Sequence, residues 1–287
     1  MDTRSNNTRA ELGTYLGLTF GVSALFWALI INAGSLGTQG GRYVFLLMWT
    51  PGVSALLTRL IFQRNLRGQG WKLGEVRWLA LAYLLPVVYA TVVYGLVWLS
   101  GLGGVDLSRF KYSVVTFLAL GSAQSLLSAT GEELGWRGFL VPTLMKTASF
   151  TQTALISGAI WAAWHMPLIF GADYNGGTPP LYSAACFAVM VVAMGFPFAW
   201  LRLRSGSVWP AAILHASHNL FVQAFFDRVT VNTGPTPWLV GEFGAGLALA
   251  FIAIAWMFWR ARDAIAAPDQ AASTIPSATS SAAAASA

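Results

Sequence analysis

A chain of 287 residues has the length of one or two soluble domains, yet 56% of it is hydrophobic and only 10% charged, against roughly 25% charged in soluble proteins. That composition excludes an ordinary soluble protein, and the net charge of +6 comes without a basic aromatic surface for nucleic acid. The single cysteine, Cys186, excludes an internal disulfide and a cysteine-based metal cluster, and reads as a small core side chain.

Apolar runs of the roughly 20 residues a helix needs to cross a bilayer occur at 13–33, 43–62, 78–99, 113–144, 152–171, 181–201, 207–226 and 237–259. They predict an all-α polytopic membrane protein, a bundle of about eight transmembrane helices, because none shows the alternation of a membrane barrel strand. No small-x-small cleavage pattern follows the first run, which therefore reads as a retained helix. Residues 1–12 precede it, residues 13–262 form one membrane domain, and the small-polar stretch 263–287 is expected to be a disordered tail. Between helices, "RNLRGQGWKL" (64–73) reads as a basic interfacial connector and "GADYNGGTPP" (171–180) as a turn region. With the N-terminus inside, thirteen of the 17 Lys and Arg fall in inside segments and four, Arg42, Arg109, Lys111 and Arg228, outside. This asymmetry predicts an integral protein of the cytoplasmic membrane with both termini in the cytoplasm.

Charged groups inside these runs need a reason, because each costs roughly 2.5–3.5 kcal/mol near a helix centre. The fourth run holds "GEELGWRGFL" (131–140), with Glu132, Glu133 and Arg137. Glu133 and Arg137 lie four apart on one helical face and can pair, whereas Glu132 points about 100° away and is left available. All three histidines of the chain also fall in predicted membrane helices: His165 in "WAAWHMPL", His215 and His218 in "ILHASHNLF". The turn near 146–150 is almost equidistant from Glu132 and His165, so an antiparallel hairpin sets both at one depth. On the seventh helix His215 and Asn219 share a face. One Glu, two His and one Asn thus converge in mid-membrane.

These residues also carry a resemblance. "EELGWR" is similar to the EExxxR motif, "WAAWH" to FxxxH with Trp161 in the Phe place, and "HASHN" to the HxxxN form of the third motif of the CPBP family of intramembrane proteases, which includes the Rce1-type CAAX prenyl endopeptidases and bacteriocin-processing or immunity relatives. The three motifs stand in the family's order within residues 113–226. Peptide hydrolysis needs an activated water and donors for the developing oxyanion. Glu132 with His165 suits the first task and His215 with Asn219 the second, and the resemblance implies the same assignment. Glu133, Arg137, Trp161 and His218 would support them. The expected substrate is a membrane-associated peptide or protein, possibly of the prenylated CAAX type, reached through the bilayer. No cofactor is expected. Zinc held by Glu132, His165 and His215 or His218 is the alternative, although no HExxH pair is present. Two other functions would also keep such groups: a non-catalytic immunity or binding protein, and a proton-coupled transporter, whose inverted repeat is not evident here.

Overall fold

The computed structural model describes residues 3–34, 36–37 and 40–265. They form eight long helices: α1 (Thr3–Ala33), α2 (Gly41–Gln63), α3 (Val76–Leu99), α4 (Val114–Leu144), α5 (Phe150–Gly171), α6 (Pro180–Ser205), α7 (209–229) and α8 (Ala245–Arg260). All but α7 are long and apolar enough to cross a membrane, and the chain is an all-α polytopic membrane protein. The exception follows from its sequence: His215, His218, Asn219 and Gln223 dilute the apolarity of α7. The expected tail lies, apart from residues 263–265, outside the described residues.

Local chemistry sets several helix ends. Ser149 opens α5 with a capping box, its hydroxyl accepting from Gln152 N–H while the Gln152 side chain accepts from Ser149 N–H. Ser113 caps α4 by accepting from Thr116 N–H at 3.0 Å. Gly206, at φ +68°, closes α6 in the left-handed region. The last helix departs from expectation. The apolar run from 237 reads as one helix, but Gly241 at φ +76° turns the chain and α8 starts only at Ala245. Glu242 is thereby lifted out of a helix and into the bundle.

The connections gather at two ends. At one, a two-residue antiparallel ribbon, Gly104–Val105 with Thr230–Val231, joins the α3–α4 and α7–α8 connections, and Leu36 N–H donates to Asp173 at 2.8 Å, joining α1–α2 to α5–α6. At the other, where α1 begins and α8 ends, Val208 N–H donates to the Gly70 carbonyl at 3.0 Å and Lys146 pairs with Glu11 at 2.9 Å. The first is the ribbon end and the second the terminal end.

Candidate active site

The core of the site is the second half of α4. From Ala129 to Val141 every side chain but Thr130 is buried, because α4 runs between α2 and α7. Glycine allows the close approach to α2: a Cβ at Gly131 would stand 2.7 Å from the Met48 carbonyl oxygen. The helix then loosens into a π-turn at Trp136–Leu140, a feature often found at functional sites. The backbone carbonyls around it find partners elsewhere. Arg59 donates to the Gly138 carbonyl at 3.2 Å, Arg202 to the Arg137 carbonyl at 2.9 Å, and the Gln69 amide to the Leu134 carbonyl. The segment 64–73, which reads in sequence as an interfacial connector, therefore differs in role: its Gln69 is fully buried and bonded to Arg59, and the loop folds under the end of α4.

The two adjacent carboxylates diverge. Glu133 accepts from Arg137 at 2.9 Å, with both side chains fully buried. The same oxygen accepts from Nδ1 of His215 at 2.9 Å. Arg137 lies between the rings of Trp161 and Phe198, 4.2 Å from each centroid, yet among the described residues its Nε and one terminal nitrogen lack a hydrogen-bond partner, as does Glu133 Oε2. Glu132 instead accepts on Oε2 from the Trp161 indole at 2.7 Å and the Trp136 indole at 3.3 Å. The Trp161 ring packs on His165, centroids 6.0 Å apart, as any aromatic there would, but its N–H gives Glu132 a donor that phenylalanine lacks.

Each histidine has its own setting. Nδ1 of His165 lies 2.9 Å from the Trp161 carbonyl; a carbonyl only accepts, so Nδ1 carries the proton and Nε2 of the neutral ring is an acceptor. Nδ1 of His215 faces the Glu133 carboxylate, so it too is the donor. His218 has both nitrogens engaged, with the Tyr89 hydroxyl at 2.5 Å and Glu242 at 3.0 Å. Glu242 also accepts from Tyr174 at 2.9 Å. Burial pushes the Glu242 carboxyl up, but hydrogen bonds from His218, Gln223 and Tyr174, with the charge of His218, outweigh it and hold the group at about 2. Asn219 makes no hydrogen bond through its amide among the described residues.

Glu132, His165, His215, His218, Asn219 and Glu242 all line one cavity of about 780 Å³. Val44, Leu47 and Leu120 give it an apolar wall from α2 and α4, and among the described residues Arg228 is the sole Lys or Arg on it. Among the described residues no group of three or more His, Cys, Asp or Glu side chains is spaced to hold a metal ion. Three features escape a sequence reading: the bond from Glu133 to His215, the pair of His218 with Glu242, and the Arg59–Gln69–Arg202 clamp. The one visible signal is a carboxylate between glycines in "VGEFGAG" (240–246).

Residues 114–221 match the family model for the Type II CAAX prenyl endopeptidase Rce1-like proteins. The chain is similar to CAAX prenyl protease 2 of Methanococcus maripaludis, 26% identical over 230 residues, which cover 72% of this chain and 82% of that protein.

Proposed function

The family supported by both matches is the CPBP/Rce1-like one, and on that premise we propose that the chain is an intramembrane endopeptidase in which Glu132 and His165 activate the attacking water. The observation that carries this reading is the shared cavity: Glu132 has one oxygen held by two indoles, and His165 keeps an unprotonated Nε2. A water between them loses a proton to the pair as its oxygen adds to the substrate carbonyl carbon. The resulting oxyanion accepts from the Asn219 amide and from Nε2–H of His215, whose imidazolium form is held by Glu133. When the carbon–nitrogen bond breaks, the abstracted proton passes to the leaving nitrogen, and the products are a carboxylic acid and an amine. The family implies a membrane-associated peptide or protein as substrate; the apolar wall suits its membrane-held part, with a prenylated CAAX chain as one candidate. The protein lies in the cytoplasmic membrane with both termini in the cytoplasm, in keeping with the Lys and Arg distribution.

The test is cleavage of a quenched hydrophobic peptide by the purified full chain in nanodiscs. Glu132→Gln keeps the volume but loses the base, and turnover falls by about 10²–10⁴. Asn219→Ala loses one oxyanion donor, and turnover falls by about 10²–10³ with little change in KM. A Glu132→Gln protein that retained full biological activity would favour a binding or immunity protein instead. Activity lost to a chelator and restored by zinc, not calcium, would replace this water-activation scheme with a metal-assisted one.

A further inference from the structure

Glu242 lines the same cavity as Glu132, yet the proposed hydrolysis makes no use of it. A buried carboxylate is costly unless it is paired and hydrogen-bonded, and several elements are committed to holding this one. Gly241, at φ +76°, permits the chain reversal that turns Glu242 inward. Its N–H donates to the Tyr94 hydroxyl of α3 at 3.0 Å, and that hydroxyl donates in turn to Asp227 near the end of α7. On the other side, Phe243 stacks on Phe187 of α6, centroids 5.5 Å apart, and meets the Tyr174 ring edge-on at 5.0 Å. The turn is thus fixed on both flanks of the carboxylate.

The two oxygens of Glu242 reach different arms of the site. One accepts from Nε2 of His218 at 3.0 Å, and the next residue on α7 is Asn219. At this point α7 passes from regular winding, Trp209–His218, to a π-helical stretch, Asn219–Phe226. The bond to His218 therefore anchors the junction from which Asn219 projects. The other oxygen accepts from the Tyr174 hydroxyl at 2.9 Å, and the Tyr174 ring packs on His165, centroids 5.9 Å apart and planes 30° from each other. One carboxylate joins the helix of the oxyanion donors to the ring beside the water-activating imidazole.

We propose that Glu242 is a positioning residue of the active site, a spacer that holds His165 and Asn219 at the separation peptide hydrolysis needs. This deepens the endopeptidase reading and rests on it. A carboxyl held at about 2 stays ionised near neutral pH, so Glu242 acts as a fixed acceptor for both arms and carries no proton in the reaction.

The test uses the full chain in nanodiscs and a quenched hydrophobic peptide. Glu242→Gln keeps the shape but exchanges one acceptor oxygen for a donor, so it cannot serve His218 and Tyr174 together. Tyr174→Phe keeps the ring on His165 and deletes only the bond to Glu242. Misplacing a reacting group by about 1 Å costs up to about 10² in rate, so kcat falls toward that extent in Glu242→Gln, and in the same direction in Tyr174→Phe, while KM changes little. In an Asn219→Ala background the further loss from Glu242→Gln shrinks, because the group it positions is gone. A packing role alone predicts the opposite: lower thermal stability, and losses in turnover that multiply in full with Asn219→Ala. That pattern, or wild-type kcat in both variants, overturns the proposal. Should Glu242→Gln fail to fold, Tyr174→Phe decides, and an unaltered kcat there overturns it. A wild-type chain that cleaves no peptide refutes the endopeptidase reading and this inference together, whereas a cleaving wild type with unaltered variants refutes the inference alone.

Discussion

The two halves of α4 differ in charge and in fate: residues 114–128 carry no charged side chain, and residues 129–141 carry Glu132, Glu133 and Arg137. Residues 114–128 are largely exposed, with Val115 76% and Leu120 67% exposed, and form one flank of the open cavity. Residues 129–141 are buried against α2 and α7, and their carbonyls are clamped from below. The difference shows how a lipid-facing helix carries polar chemistry: the charged groups sit only where neighbouring helices supply partners, and the half without partners stays apolar. Within the buried half, Glu133 serves Arg137 and His215 together, while Glu132 is held by indoles and faces the cavity.

The largest expected effect comes from removing a partner in the buried half. Arg137→Ala breaks the fully buried Arg137–Glu133 pair, which costs about 3–5 kcal/mol. Thermal unfolding in detergent and the folded yield both report this loss. A variant that unfolds like the wild type while its turnover alone collapses would instead place Arg137 in the chemistry. Next is Trp161→Phe, which keeps the ring beside His165 but deletes the 2.7 Å bond to Glu132. A hydrogen bond to a charged acceptor contributes about 1.5–3 kcal/mol, so kcat should fall while the folded yield holds. An unchanged kcat means that the indole N–H does not position Glu132. Glycine substitutions set the two halves side by side most directly. Gly131→Ala drives a Cβ to 2.7 Å from the backbone of α2, an overpacking of about 1–3 kcal/mol. Gly121→Ala meets only the tip of the Leu220 side chain, at 2.8 Å, which can rotate away. It should leave stability within about 0.5 kcal/mol. Equal losses at both positions in unfolding measurements would show that the halves are packed alike.

Much of the fold can be read from the chain because bilayer thickness and backbone satisfaction impose a length on every apolar run. Eight runs and eight long helices agree, with the boundaries differing most at α1, which starts at Thr3 and not at 13, and at α8, where Gly241 and Gly244 interrupt a run that hydropathy joins. The gathering of Glu132, His165, His215 and Asn219 is likewise accessible from spacing, since an antiparallel hairpin equalises depth and a four-residue interval shares a face. The bond from Glu133 to His215 is not, because it joins residues 82 apart on helices whose relative rotation no local pattern encodes. The same holds for the pair His218–Glu242, formed across a chain reversal, and for Gln69, whose polar side chain reads as loop until the carbonyls of a π-turn give it a reason to be buried. Periodicity along one helix is a local property that residue order carries directly. Which faces meet, which carbonyls are freed and which carboxylate meets which histidine depend on side chains from several helices packing at once, and those contacts exist only in the assembled bundle.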